Sequence, residues 1–526
     1  MPTRRDHGWL LASLLAAGLA GPADADRPLS AIDWLSQSMA LPSAPSAEFL
    51  DSAAALRNGP APEGERRPGL SPDEISVASI DAPTVDALGL LPAERAGLPR
   101  DLWGLSPADR LAEGLRALGP DMLPALQEAT LAVLIAELDP PRDAEGRGAL
   151  FLARLDTLIA FGALDAARAL VEAAEPTRDA DLFARWFDLA LLAGETALPC
   201  AALGQTPDLA PGPAASIYCL GRSGDWEAAE AMLEAAPAGA ITAAERLALE
   251  LFLDPGESPD LPLTVPPRPT PLLWQLHDAI GEPLASLRLP LAFAHADLRA
   301  DAGWRSQIEA AERLTRAGVL TPNRLLGLYT ERAPAASGGV WERVAAVQRL
   351  EEALRRNDGE AAGEAFVAAW EQMREAEIEV AFARLYADRL AGLPLTGRAA
   401  DTQFRAGLLT ERAAEIAAAQ DPADPMQAFL AGIATGTLSA SGPVPPGDMP
   451  AAIRDGLVAA PTEAVAQMLD ETRRGEVLLD ALARLQNGGA GDPAAVAEAL
   501  AALRAAGLDA VARRTALEIL LLERRG

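Results

Sequence analysis

The chain has 526 residues, half of them hydrophobic, with 75 acidic against 45 basic side chains and a formal net charge of −30. A surface of that sign repels nucleic acid and anionic lipid headgroups, and both are excluded as partners. Every basic residue is Arg. That excludes a phosphate-loop lysine, a Schiff-base lysine and a Ser-x-x-Lys catalytic pair.

Arg4 and Arg5 precede an apolar stretch from Trp9 to Leu19, and Ala23-Asp24-Ala25 offers a small-x-small cleavage site. The layout predicts a Sec-type signal peptide over residues 1–25, too short to span a bilayer, and a periplasmic destination. An uncleaved anchor is the alternative. Past it, no run of about eighteen apolar residues occurs, so no stable membrane insertion is expected after cleavage. Residues 26–74 are rich in Pro, Ala, Ser and Gly and read as a flexible linker. Trp34 lies there in a short amphipathic turn, either a docking element or a frayed helix that touches the body. Residues 74–80 alternate apolar and polar side chains, a strand-like lead-in.

From about residue 105 the pattern is helical. LPALQEATLAVLIAEL has apolar residues at three- and four-residue spacing, with Pro140-Pro141 as its stop. FLARLDTLIAFGALDAARALVEAAEP then runs as helix, Gly turn, helix, Pro stop. ARWFDLALLAGETALPCAAL repeats the arrangement loosely, and AASIYCLGRSGDWEAAEAMLEAAP repeats it well. The turn glycines Gly162, Gly194 and Gly224 follow one another at 32 and 30 residues. A two-helix period in the low thirties is the mark of a solenoid. Ala167 and Ala229 let paired backbones approach, and Leu170 and Leu233 fill the groove between hairpins.

These residues resemble the tetratricopeptide (TPR) superfamily. The match is Gly224-Asp225-Trp226-Glu227-Ala228-Ala229 closed by Pro237, and Gly162-Ala163-Leu164-Asp165-Ala166-Ala167 closed by Pro176. In LEEALRRNDGEAAGEAFVAAW, Asn357 replaces the turn Gly, Ala362 the inner Ala and Phe366 the packing aromatic. The first helices depart from the family's Trp-Leu-Gly/Tyr set, so its groove geometry does not carry over. LLGLYTERAPAASGGVWERV also looks like exported proteins of high-GC Gram-negative bacteria that have no assigned activity. The resemblance implies an all-α solenoid of stacked TPR-like hairpins. Its regions are an N-terminal repeat set over 75–254, a Pro-rich joint at 255–271, and a second set over 272–435. A Pro/Gly-rich break at 436–450 and C-terminal hairpins over 451–526 complete it. In the last hairpin, 519–522 needs cover from the helices before it.

Cys200 and Cys219 sit on neighbouring helices of this scheme, and export predicts a structural disulfide, with two separate buried thiols as the alternative. His277 and His295 lack metal-ligand spacing, so no metal and no cofactor is expected. No Gly-x-Ser-x-Gly elbow occurs. The acidic run 371–379 reads as a solvated helix face. The Trp residues read as hairpin packing, and any exposed one as a binding hot spot. Trp341, behind the flexible Ser337-Gly338-Gly339, joins Trp34 as a candidate interaction surface. The expected function is a non-catalytic periplasmic scaffold or adaptor for another cell-envelope protein, an accessory of a secretion, cell-wall or flagellar-motor assembly. The alternatives are a peptidoglycan-active enzyme using paired carboxylates, or its helical regulatory domain, and a solute-binding transport component.

Overall fold

A computed structural model of the protein describes residues 84–522, except 145, 147, 255, 257–262, 264, 423 and 487–490. The expected signal peptide, the linker with Trp34 and the alternating segment 74–80 lie outside the described residues. The described part is mainly helical. It opens with α1 (Ala108–Ala117), α2 (Pro124–Ile135), α3 (Ala149–Ala160) and α4 (Leu164–Ala173). Next come α5 (Ala180–Ala193), α6 (Ala197–Gln205), α7 (Pro213–Ser223), α8 (Trp226–Ala235), α9 (Ala243–Leu253) and α10 (Pro271–Ala279). The middle holds α11 (Trp304–Arg316), α12 (Pro322–Glu331), α13 (Val340–Arg355), α14 (Gly359–Ala376) and α15 (Glu379–Leu390). Then follow α16 (Gly397–Gly407), α17 (Ala413–Ala418), α18 (Pro425–Thr435) and α19 (Asp448–Val458). The last are α20 (Glu463–Asp470), α21 (Arg474–Gln486), α22 (Pro493–Ala505) and α23 (Asp509–Leu521).

Local chemistry explains the hairpin turns. Gly162, Gly194 and Gly224 have φ of 73°, 75° and 86°, left-handed values that cost Gly little. Asn357 adopts the same geometry at φ 53°, as Asn tolerates better than most side chains. Asp225, Asp358 and Asp492 accept N–H bonds at the starts of α8, α14 and α22. The helices on either side of three of these turns pack together: α3 on α4, α7 on α8, α13 on α14. Ala167, Ala229 and Ala362 are fully buried at the inner faces, and Leu170, Leu233 and Phe366 are buried beside them.

One apolar core runs from Ala93 to Leu522, and a second, smaller one joins α5–α10. Helices on both sides of the Pro-rich stretch meet in this second core, where Leu249 and Leu272 are both buried. All described residues belong to one compact unit.

The two ends of that unit touch. Trp103 is fully buried, and a Cβ on Gly475 would stand 2.6 Å from its ring. Leu105 N–H donates to Thr472 O at 3.1 Å. α1 packs on α21, and α2 packs on α23. The apolar helix α23 therefore takes cover from α2 as well as from α22 before it.

Two local expectations change. α2 ends at Ile135, ahead of Pro140-Pro141, because Ala136–Glu137 (β2) pairs in parallel with Leu91–Pro92 (β1). The acidic run 371–379 is not one solvated face: α14 ends at Ala376, Glu377 turns with φ 57°, and Glu379 is buried at the start of α15.

Candidate functional site

Cys200 on α6 and Cys219 on α7 are joined, with their Cα atoms 5.1 Å apart. Cys219 is buried in the smaller core, so the link ties α6 to the α7–α8 hairpin. Trp341 is half-buried, its ring 5.0 Å from that of Trp304, whose Nε1–H donates to Leu328 O at 3.0 Å. Below this pair Glu312 accepts two bonds from Arg343, at 2.6 and 2.7 Å, and one from Tyr329 at 2.7 Å. Burial and the Glu312 charge push the Tyr329 hydroxyl far above its ordinary pKa, so it stays a proton donor. The loop before Trp341 needs its glycines for turning only; a Cβ on Gly338 or Gly339 would meet nothing within 4 Å.

His295 Nε2 lies 2.6 Å from Gly162 O, and His277 Nδ1 lies 3.3 Å from Glu282 O. Among the described residues no group of three His, Cys, Asp or Glu side chains is placed to hold a metal ion. No described helix is long and apolar enough to cross a membrane.

Among the described residues, Trp226 is the exposed aromatic. It opens α8 at 45 % exposure, with one edge against the Phe252 ring 6.0 Å away. Asp225 at its N-cap and Glu227, Glu230 and Glu234 along it are all exposed, and the helix packs on α7 and α9. An aromatic anchor on a strongly acidic helix suits a partner that is basic and has an apolar side chain to offer.

A second feature left no motif. α2 directs Pro124, Gln127, Glu128, Leu131, Ala132 and Ile135 into a cleft of about 420 Å³. Its other walls are the α11–α12 turn, the α14–α15 turn and the first turns of α15. Arg316 donates through Nε and Nη2 to Ala376 O, at 2.9 and 2.7 Å, and so clamps the two turns together. At the rim Glu128 accepts from Arg384 at 2.7 Å and from Arg514 at 3.0 Å. Burial alone would raise the Glu128 carboxyl; Arg514 and Arg384 outweigh it and hold the group below the usual carboxylate range. The sequence carried one sign of this cleft: α2 is apolar nearly all round, which a helix with a single buried face does not need.

Asp188 on α5 also went unremarked in the sequence. Burial pushes its carboxyl up to about 7, and Arg185 offsets this only in part.

Comparison with known proteins gives no matching family model, no similar curated protein and no similar solved structure.

Proposed function

We propose that the protein is an exported, non-catalytic adaptor whose TPR-like hairpins stack as a repeat array and bind another cell-envelope protein through α8. The observation that carries this reading is Trp226, an exposed indole with four exposed carboxylates on the same helix, whose opposite face is buried through Ala229 and Leu233. Aromatic side chains dominate binding energy where they seat in a partner's pocket, and the flanking charge steers a basic segment towards them. The Cys200–Cys219 link supports an oxidising compartment such as the periplasm. Repeat hairpins suit the role because they build an extended surface from short local units.

The test is affinity purification with mild crosslinking from the native envelope fraction, using the wild-type chain and Trp226→Ala. The adaptor reading expects one defined protein complex, released by raised salt and depleted at least tenfold in the variant. Retention on isolated cell-wall sacculi with no protein recovered would overturn it in favour of a glycan-active protein.

A further inference from the structure

Two arginines come together where α18 and α19 end and α23 begins. Arg504, in the last turn of α22, donates through Nη1 to Gly456 O at 3.2 Å and to Ala459 O at 3.1 Å, at the end of α19. Arg513, in the second turn of α23, lays its guanidinium against Gly436, which closes α18 with φ 71°. A Cβ on Gly436 would stand 2.6 Å from Arg513 Nη1, so the guanidinium occupies space that only a glycine leaves open. Asp509 lies between the pair: its Oδ1 is 3.7 Å from Arg504 Nε and its Oδ2 is 3.1 Å from Arg513 Nε. The two guanidinium groups are thus held in place while part of their donor set stays unused.

Helix capping does not account for Arg513. Two of the last α18 carbonyls, Gly432 O and Ile433 O, already accept from the N–H groups of Thr437 and Gly436. Among the described residues no hydrogen bond engages Nη1 or Nη2 of Arg513, or Nη2 of Arg504. Both side chains are open to a solute, at 30 % and 28 % exposure, and both line a pocket of about 330 Å³. That volume lies at the small end of ligand sites. Leu438, Leu457 and Val458, all half-buried, form an apolar wall. Among the described lining residues two guanidinium groups meet one carboxylate, which leaves one positive charge in a chain of net charge −30. A single residual charge suits a monoanion, and guanidinium N–H groups match the two oxygens of a carboxylate. A dianion would bring a second charge that Asp509 repels. We infer that this pocket binds a small monocarboxylate, its oxygens on Arg513 and Arg504 and its short apolar part against Leu438, Leu457 and Val458. α8, which carries the adaptor reading, contributes nothing to the pocket, so either can fail alone.

The experiment titrates the full chain with benzoate, with its neutral isostere benzamide and with inorganic phosphate, each followed by calorimetry. Saturable binding of one benzoate per chain is expected, at least about tenfold tighter than either of the others, because a charge-assisted pair is lost with benzamide. Arg513→Gln, which stays polar but lacks the guanidinium, weakens benzoate at least tenfold. Arg484→Gln, the same change of charge at an exposed arginine outside the pocket, leaves benzoate affinity within about twofold. Circular dichroism and the melting temperature establish that each variant folds; if Arg513→Gln does not, the ranking of the three probes on the wild type decides. Failure of the wild type to bind benzoate, or benzamide or phosphate binding as tightly, overturns the inference. Benzoate binding that survives a folded Arg513→Gln overturns it too, as does an equal loss in Arg484→Gln, which would show a response to net charge alone.

Discussion

The carboxylate of Glu518 accepts the backbone N–H of Ala125 through both its oxygens, at 2.9 and 3.0 Å, across 393 residues of chain. Ala125 lies in the first turn of α2, where backbone donors have no partner within the helix. Leu123, at the N-cap, has no side chain able to serve them. The C-terminal helix thus supplies the cap that the local sequence lacks, and its negative charge also suits the helix dipole. One turn on, Glu128 is held by Arg514 of the same C-terminal helix and by Arg384 of α15. Start, middle and end of the unit meet at α2.

Glu518→Ala therefore loosens the start of α2 although the two are far apart in the chain. The expected cost is about 1–3 kcal/mol, because a buried N–H is left unpaired. Hydrogen exchange checks it: amides of α2 lose protection together with those of α23, while α7 and α8 keep theirs. Unchanged exchange in α2 would show that the cap adds nothing.

Arg154 is fully buried and donates to the carbonyls of Leu134 (2.8 Å), Ala136 (2.9 Å), Leu88 (2.7 Å) and, more weakly, Asp86 (3.4 Å). Burial pulls its guanidinium pKa down to about 10, with Asp86 opposing, so it remains charged at neutral pH. It ends α2 and fixes the short β1–β2 pair. Arg154→Met removes these donors and leaves buried carbonyls and Asp86 without their partner. A loss of at least about 3 kcal/mol is expected in urea unfolding. A loss under 1 kcal/mol would mean that water replaces the guanidinium.

Asp188 sets a pH dependence. Its carboxyl titrates at a higher pH folded than unfolded, so the folded chain holds the proton more tightly. That contribution is complete near pH 4 and is lost as pH rises through about 7. Asp188→Asn, which mimics the protonated form, should be about 2 kcal/mol more stable than wild type at pH 8, allowing for partial exposure, and no more stable at pH 4. Paired unfolding curves at the two pH values read this directly; a constant difference would place the titration elsewhere.

Cys200 and Cys219 are 19 residues apart in sequence, and closing such a loop stabilises by roughly 3 kcal/mol in the chain-entropy view. Reduction, or the Cys200→Ala/Cys219→Ala pair, should lower stability by about that amount. Limited proteolysis should then find its new cleavages within α5–α10. Thiol labelling of the unreduced, unfolded chain should find no free cysteine.

Helix positions and turns were legible in the sequence because both are local. Gly162, Gly194 and Gly224 take the left-handed geometry that glycine permits, and Asn357 takes it where a glycine is replaced. The buried alanines of the returning helices follow from three- and four-residue spacing, and the cysteine pairing from the placing of the two residues on neighbouring helices. Trp226 was read as hairpin packing, and only its neighbours on α7 and α9 decide that it stands exposed. The meeting of the two ends of the described unit, the four-carbonyl seat of Arg154 and the cleft beside α2 left no periodic trace. Each joins residues far apart in the chain through single contacts, and a lone Gln, Arg or Glu on a helix looks the same in sequence whether it faces water or a buried carbonyl. The sequence alone determined where this chain is helical and where it turns; tertiary packing decided which polar groups were buried, and with them where something can bind.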